Sequence, residues 1–440
     1  MVAFLDSTAP CVANSDPVIL NVGILSSAEE EKKSTAQSLS SGGSLATIAS
    51  LATSSSNEGS SHIEKEKWWS TLMQVAVPFL IAGVGTIGAG LVLGMVQHWP
   101  VFMEVSELFI LVPALLGLKG NLDMCLASRL STQTNLGNME TAKEIWKIVI
   151  GNIALVQVII NQNLHKNFVM IAVILLSHRL KMNPDNVATP LAASFGDVVS
   201  ITLLSNVASL LYSFHDAQYY ILFGILACYL LLLPFWVWLT HRNPYTKPVL
   251  KTGWVPVLCA LLISGFGGLV LDSAVSLFDG FVIFQPIING IGGNLVSVQA
   301  SRISTMLHQT SLIGILPPHA KMCIPPWKAL FTSPHARTAR ILIGMSVPGQ
   351  LVFIFAADYI YNSEVSLSAP FVFSYLFVSV LQIMLLLYIA HLIIHLMWRW
   401  KFDPDNGAIP YLTSLGDLLG SGLLACAFLF LHEIGYDYMG

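Results

Sequence analysis

Asn183-Pro184-Asp185-Asn186-Val187-Ala188-Thr189-Pro190-Leu191-Ala192-Ala193-Ser194-Phe195-Gly196-Asp197 recurs 220 residues later as Asp403-Pro404-Asp405-Asn406-Gly407-Ala408-Ile409-Pro410-Tyr411-Leu412-Thr413-Ser414-Leu415-Gly416-Asp417. Each copy starts with a polar turn, enters an apolar segment at a proline and carries a carboxylate inside that segment. An acid buried at the same place in two halves of a membrane chain points to a functional site.

The surrounding composition supplies the membrane. Of 440 residues, 54% are hydrophobic and only 10% charged, against about 25% charged in soluble domains. Apolar segments fall near 72–96, 106–127, 145–163, 167–179, 189–213, 219–240, 254–276, 281–300, 340–361, 370–397 and 409–432. Many approach or exceed the roughly 20 residues that a helix needs to cross a bilayer. The expected fold is an all-α polytopic membrane protein. The six cysteines are scattered, with neither a disulfide framework nor a CxxC metal spacing.

The repetition extends beyond the opening stretch. Pro78 and Gly90-Leu91-Val92-Leu93 match Pro256 and Gly268-Leu269-Val270-Leu271 at an offset of 178. Pro113, Gly117, Gly120-Asn121-Leu122 and Ala127-Ser128-Arg129-Leu130-Ser131-Thr132 match Pro286, Gly290, Gly293-Asn294-Leu295 and Ala300-Ser301-Arg302-Ile303-Ser304-Thr305 at an offset of 173. The chain therefore divides into a Ser-rich disordered tail (1–67), a first transmembrane repeat (68–213), a linker helix (214–250), a second repeat (251–433) and a short C-terminal tail (434–440). The tail lacks a basic segment followed by an apolar one, so no cleavable secretory signal is expected.

Lys and Arg cluster before the first segment of each half and after the second, while 97–107, 214–218 and 362–369 carry none. Basic loops belong in the cytosol or its equivalent. With five spans per half and one linker span, the halves run parallel and are related by an axis along the membrane normal. The first half is short: 27 residues separate Gln157 from Pro184, against 54 from Gln350 to Pro404. It is read as an incomplete repeat.

On a helix, Ser194 and Ser414 lie one turn before their acids, on the same face. An ionised Asp at mid-bilayer costs about 2.5–3.5 kcal/mol on insertion scales. Lys119 and Arg129 are placed near the end of their segment, so no fixed cation lies deep in a neighbouring span. A mobile cation answers the cost; a proton on each acid, with the acid capping a neighbouring helix, is the plainer structural alternative. Pro113, Gly117 and Gly120, like Pro286, Gly290 and Gly293, are expected to break their helices and free carbonyls toward a cavity. Asn121, Cys125, Ser128 and Thr132 share a face, as do Asn294, Val298, Ser301 and Thr305. Close packing through small residues is the competing reading of these positions. Asp123 has Val296 as its counterpart and is accessory. Carboxylate, amide, hydroxyl and carbonyl oxygens suit a hard cation, whether Mg²⁺, Ca²⁺, Mn²⁺ or Na⁺. His391 and His395, four apart, are read as packed rather than metal-binding.

At these motifs the sequence resembles the solute carrier family 41 magnesium transporters, relatives of the bacterial MgtE channels. The resemblance runs over nearly all of 68–432. It implies two five-helix units joined by a linker helix, with Mg²⁺ as the transported ion and Na⁺ as a coupling ion for efflux. It places Mg²⁺ at Asp197 and Asp417, matching the pore Asp of the family's last helix. Asn121 and Asn294 join them as expected ligands, with Ser194, Ser414, Gly120, Gly293, Ser128, Ser301 and Asp123 lining the path or supporting it. The expected partners are these ions and the lipid bilayer, and the expected location is the plasma membrane, with the mitochondrial inner membrane as the alternative. A transport-inactive isoform that regulates full-length transporters is the second reading, supported by the shortened half. An intramembrane aspartyl protease is a remote third: Ser-Phe-Gly-Asp and Ser-Leu-Gly-Asp lack the Gly-x-Gly-Asp motif, and Pro113-Ala114-Leu115 precedes both acids.

Overall fold

The structure is a computed structural model. It describes residues 68–440 except 106, 137–145, 149, 153, 156–182, 215–218, 244–245, 318–319, 334, 437 and 439–440. The Ser-rich tail and most of the shortened stretch between Gln157 and Pro184 lie outside the described residues.

Among the described residues, nine long helices carry the architecture. They are α1 (Trp68–Val96), α2 (Glu107–Asn135), α3 (Pro184–Phe214), α4 (Tyr219–Arg242), α5 (Trp254–Val275), α6 (Phe281–Thr310), α7 (Ala336–Asn362), α8 (Ala369–Arg399) and α9 (Pro404–Glu433). Seven of them are long and apolar enough, over their described residues, to cross a membrane: α1, α2 and α5 to α9. No strand occurs among the described residues. The protein is an all-α polytopic membrane protein.

The start signals of α3 and α9 are equivalent. Asn183 Oδ1 accepts from Asp185 N at 3.0 Å, and Asp403 Oδ1 accepts from Asp405 N at 3.1 Å. A proline follows each cap at the first helical position, where its missing N–H costs nothing.

Helices α1, α2 and α3 match α5, α6 and α9, and the two sets interlock. Within each set the last helix packs on the other two; across the sets α1 packs on α6 and α5 on α2. Two equivalent glycines make the crossings possible. The missing Cβ of Gly90 leaves room for the Ile283 carbonyl, and that of Gly268 for the Ile110 carbonyl. Such close approach through small residues is the usual means of membrane helix association.

A two-fold relation between the sets is visible in contacts between equivalent residues. Ser128 Oγ lies 3.1 Å from Ser301 Oγ, and Thr132 Oγ1 lies 3.2 Å from Thr305 Oγ1. Antiparallel helices bring equivalent residues together at one level only. Two such self-contacts, one helical turn apart, require α2 and α6 to run parallel with the axis between them. The parallel arrangement read from the basic loops agrees with this geometry.

Two expectations fail. Helices α2 and α6 are continuous through Pro113 and Pro286 rather than broken. A proline costs its helix one hydrogen bond, and packed neighbours tolerate the local adjustment. Lys119 is not near a helix end either, because α2 runs on to Asn135; the side chain is mid-helix and only 8% exposed.

In the second half α7 and α8 stand between α6 and α9. Phe79 and Phe353 lock α7 against α1, with ring centroids 5.4 Å apart. Tyr438 anchors the C-terminal tail: its OH donates to Asp358 Oδ1 at 2.6 Å, and its ring meets Phe284 edge-on and Phe371 at a tilt.

Candidate functional site

Between the two interlocked sets lies a cavity of about 70 Å³, room for an ion with several waters. Its walls hold both repeated acids, Asp197 of α3 and Asp417 of α9, and both repeated amides, Asn121 of α2 and Asn294 of α6. Gly120 and Gly293 line it as well. Among the described residues, nothing lies within 4 Å of where a Cβ on Gly120 would stand, and only Thr413 approaches that of Gly293, at 3.6 Å. These two positions keep volume open. Among the described residues, none that lines the cavity is Lys, Arg or His. Lys119, although buried in the same helix, is not among them.

The polar walls are held in place by neighbours. Ser264 of α5 donates to Asp417 Oδ2 at 2.8 Å, and Gly117 permits that approach by having no side chain. Thr413 Oγ1 donates to Asn121 Oδ1, a contact across the repeats that leaves Asn121 Nδ2 buried without a partner. Gln285 and Asn289 of α6 also line the cavity, and both donate to Ser421 Oγ of α9, at 3.0 and 3.1 Å. Asn289 Oδ1 is buried without a donor. An acceptor buried in this way is costly unless a donor or a cation in the cavity meets it.

The remaining sequence candidates divide. Ser414 does not line the cavity: it is fully buried and donates to Tyr411 O of its own helix at 3.1 Å. Spacing from Asp417 put it on the right side, but the preceding turn of backbone satisfies it. Asp123 is buried outside the lining, on a different side of α2 from Asn121. The side chain of Ser194 lies outside the described residues. Ser128 and Ser301 are not in the cavity wall, since they sit seven residues, roughly 10 Å, further along α2 and α6.

There they meet the polar turn of the other repeat. Ser128 Oγ donates to Asp405 Oδ1 at 2.8 Å, and Ser301 Oγ donates to Asp185 Oδ1 at 2.7 Å. Arg129 Nη1 donates to Asn406 Oδ1 at 3.3 Å, and Arg302 Nη1 to Asn186 Oδ1 at 2.7 Å. Each contact has its exchanged twin, so four reciprocal bonds tie the two repeats together at the basic-loop end of the axis. Sequence reading treated Asp185 and Asp405 as turn residues only. Gln285 and Asn289 escaped it because their counterparts, Val112 and Leu116, are apolar.

His391 and His395 sit apart from the axis. His395 Nδ1 lies 2.7 Å from His391 O, and His391 Nε2 lies 3.1 Å from Lys321 O. Backbone carbonyls occupy these nitrogens, as packed histidines require.

Paired acids and amides on a two-fold axis between parallel, interlocked repeats define a duplicated membrane protein of the MgtE type. The MgtE family model, described as a divalent cation transporter, matches residues 112–164, 159–207 and 285–427. Solute carrier family 41 member 2 of Mus musculus is 44% identical over 420 residues, which cover 86% of this chain and 73% of that protein. The human member 2 is 43% identical over 415 residues, covering 85% and 72%. Solute carrier family 41 member 3 of Rattus norvegicus is 40% identical over 405 residues, covering 82% and 87%. No solved structure matches the chain. The chain belongs to solute carrier family 41, and so to the MgtE-type divalent cation transporters rather than to any enzyme class.

Proposed function

We propose that the chain moves Mg²⁺ across its membrane along the axis between the repeats, with Asp197, Asp417, Asn121 and Asn294 forming the ion site. The observation that carries this reading is the convergence of two acids and two amides from equivalent positions on one cavity with no basic lining residue. Two carboxylates that share a cavity repel each other unless a proton or a cation intervenes. Mg²⁺ keeps several waters and is held by one or two carboxylates. The space kept open by Gly120 and Gly293 suits such a partly hydrated ion. The reciprocal bonds among Ser128, Ser301, Asp185 and Asp405 close the path at the basic-loop end, so ions leave or enter there only when they separate.

In this reading Na⁺ is the coupling ion for Mg²⁺ efflux, and the membrane is the plasma membrane. The test is Mg²⁺ flux through proteoliposomes of the purified full chain, with and without an opposing Na⁺ gradient. Coupled transport requires flux that rises with the gradient. Flux independent of Na⁺ would leave a channel, and no flux in either condition would favour the regulatory, transport-inactive reading.

A further inference from the structure

The two repeats differ where the second helix of each meets the polar turn of the last. In the first repeat Asn135 Nδ2 donates to Asn183 Oδ1 at 3.3 Å and to Asp185 Oδ2 at 3.0 Å. Ser131 Oγ donates to Asp185 Oδ1 at 2.5 Å. Amides and a hydroxyl thus satisfy the acid.

In the second repeat the same places hold His308, Asp403 and Asp405, with Ser304 in place of Ser131. His308 Nε2 lies 3.2 Å from Asp403 Oδ1 and 3.7 Å from Asp405 Oδ2. One ligand atom from each of the three falls within 4.8 Å of the others. Ser304 lies beside the Asp405 carboxylate, and its Oγ is buried with no hydrogen-bond partner among the described residues. Asp405 is 3% exposed and Asp403 33%, so the cluster reaches from the interior to the surface.

We propose that His308, Asp403 and Asp405 form a second divalent-cation site, present only in the second repeat and selective for a metal of the Zn²⁺ class. Zinc takes imidazole nitrogen and carboxylate oxygen at about 2.0–2.2 Å in tetrahedral geometry, which sets neighbouring ligand atoms roughly 3.3 Å apart. The 3.2 and 3.7 Å separations already approach that spacing. Mg²⁺ favours an octahedron of oxygens, and an imidazole selects against it. The surface-facing side of Asp403 gives the metal its entry, and water completes the coordination. Because Asp405 is also held by Ser128 across the repeats, metal there ties the end of α6 to the start of α9 beside the closed end of the axis.

The test is calorimetric titration of the full chain in detergent with Zn²⁺, its thiols alkylated and Mg²⁺ in excess to occupy oxygen-only sites. Binding is measured without flux, so the result does not depend on what the chain transports. The wild type is expected to take up Zn²⁺ with an affinity that falls at least tenfold in His308→Asn and again in His308→Asn/Asp403→Asn. Both substitutions install the first repeat's own residues at these places, so the fold accommodates them. A wild-type chain that binds no Zn²⁺, or a His308→Asn variant that keeps the wild-type affinity, overturns the proposal.

Discussion

Asp197 and Asp417 sit in the same repeated motif, and both line the cavity. Their shared place was legible in the sequence because an acid in an apolar helix is costly and the motif carries one in each repeat. Asn121 and Asn294 were legible as a repeated Gly-Asn pair, and both line the same cavity. Ser414 misled because helical spacing tells which residues share a side, not which of them the backbone already satisfies. Gln285 and Asn289 were invisible because a comparison between repeats discounts polar residues whose counterparts are apolar. Glycine at position 120 makes the sharpest prediction at this scale. A side chain there meets nothing within 4 Å of its Cβ, so Gly120→Leu should fold and reach the membrane while filling the cavity. Mg²⁺ flux in proteoliposomes is expected to fall at least tenfold, with thermal stability unchanged. Flux at the wild-type rate would show that the cavity is not the path.

The helices themselves were mostly readable from hydropathy, but two of their limits were not. The apolar runs ending near 127 and 300 belong to helices that continue to Asn135 and Thr310. The extra turns are rich in Ser, Thr and Gln, and Ser128, Thr132, Ser301 and Thr305 among them face the partner repeat. A hydropathy scale counts those residues against a membrane helix, although Ser128, Ser301, Thr132 and Thr305 are hydrogen-bonded at the axis. Continuity through Pro113 and Pro286 was missed for a related reason: local sequence signals a break, whereas packing keeps the helix whole. The crossings of α1 on α6 and of α5 on α2 depend on single glycines. Gly268→Val would drive a side chain into the Ile110 carbonyl, whereas nothing lies within 4 Å of a Cβ at Gly265. Gly268→Val is therefore expected to destabilise by about 1–3 kcal/mol, the usual range for overpacking, with Gly265→Val near neutral. Thermal unfolding in detergent compares the two, and equal midpoints would contradict the crossing.

At the scale of the whole molecule, the two-fold relation makes a prediction that no single helix could. Ser128 and Ser301 belong to different repeats, yet their Oγ atoms are 3.1 Å apart. With the six native cysteines replaced, Ser128→Cys/Ser301→Cys should form a disulfide on mild oxidation, since that separation needs only a small shift to reach bonding distance. Such a bond locks the closed end of the axis, so Mg²⁺ flux should stop under oxidant and return with reductant. Failure to cross-link would contradict the parallel packing of α2 and α6. The duplication was plain in the sequence, but the interlocking was not, because offsets between repeats carry no information about which helix of one packs on which helix of the other. Transport along the axis requires the two repeated acids to act together on one ion. Mg²⁺ flux into proteoliposomes should be lost in Asp417→Asn and equally in Asp197→Asn, both reconstituted at wild-type levels. Wild-type flux in either variant would contradict it.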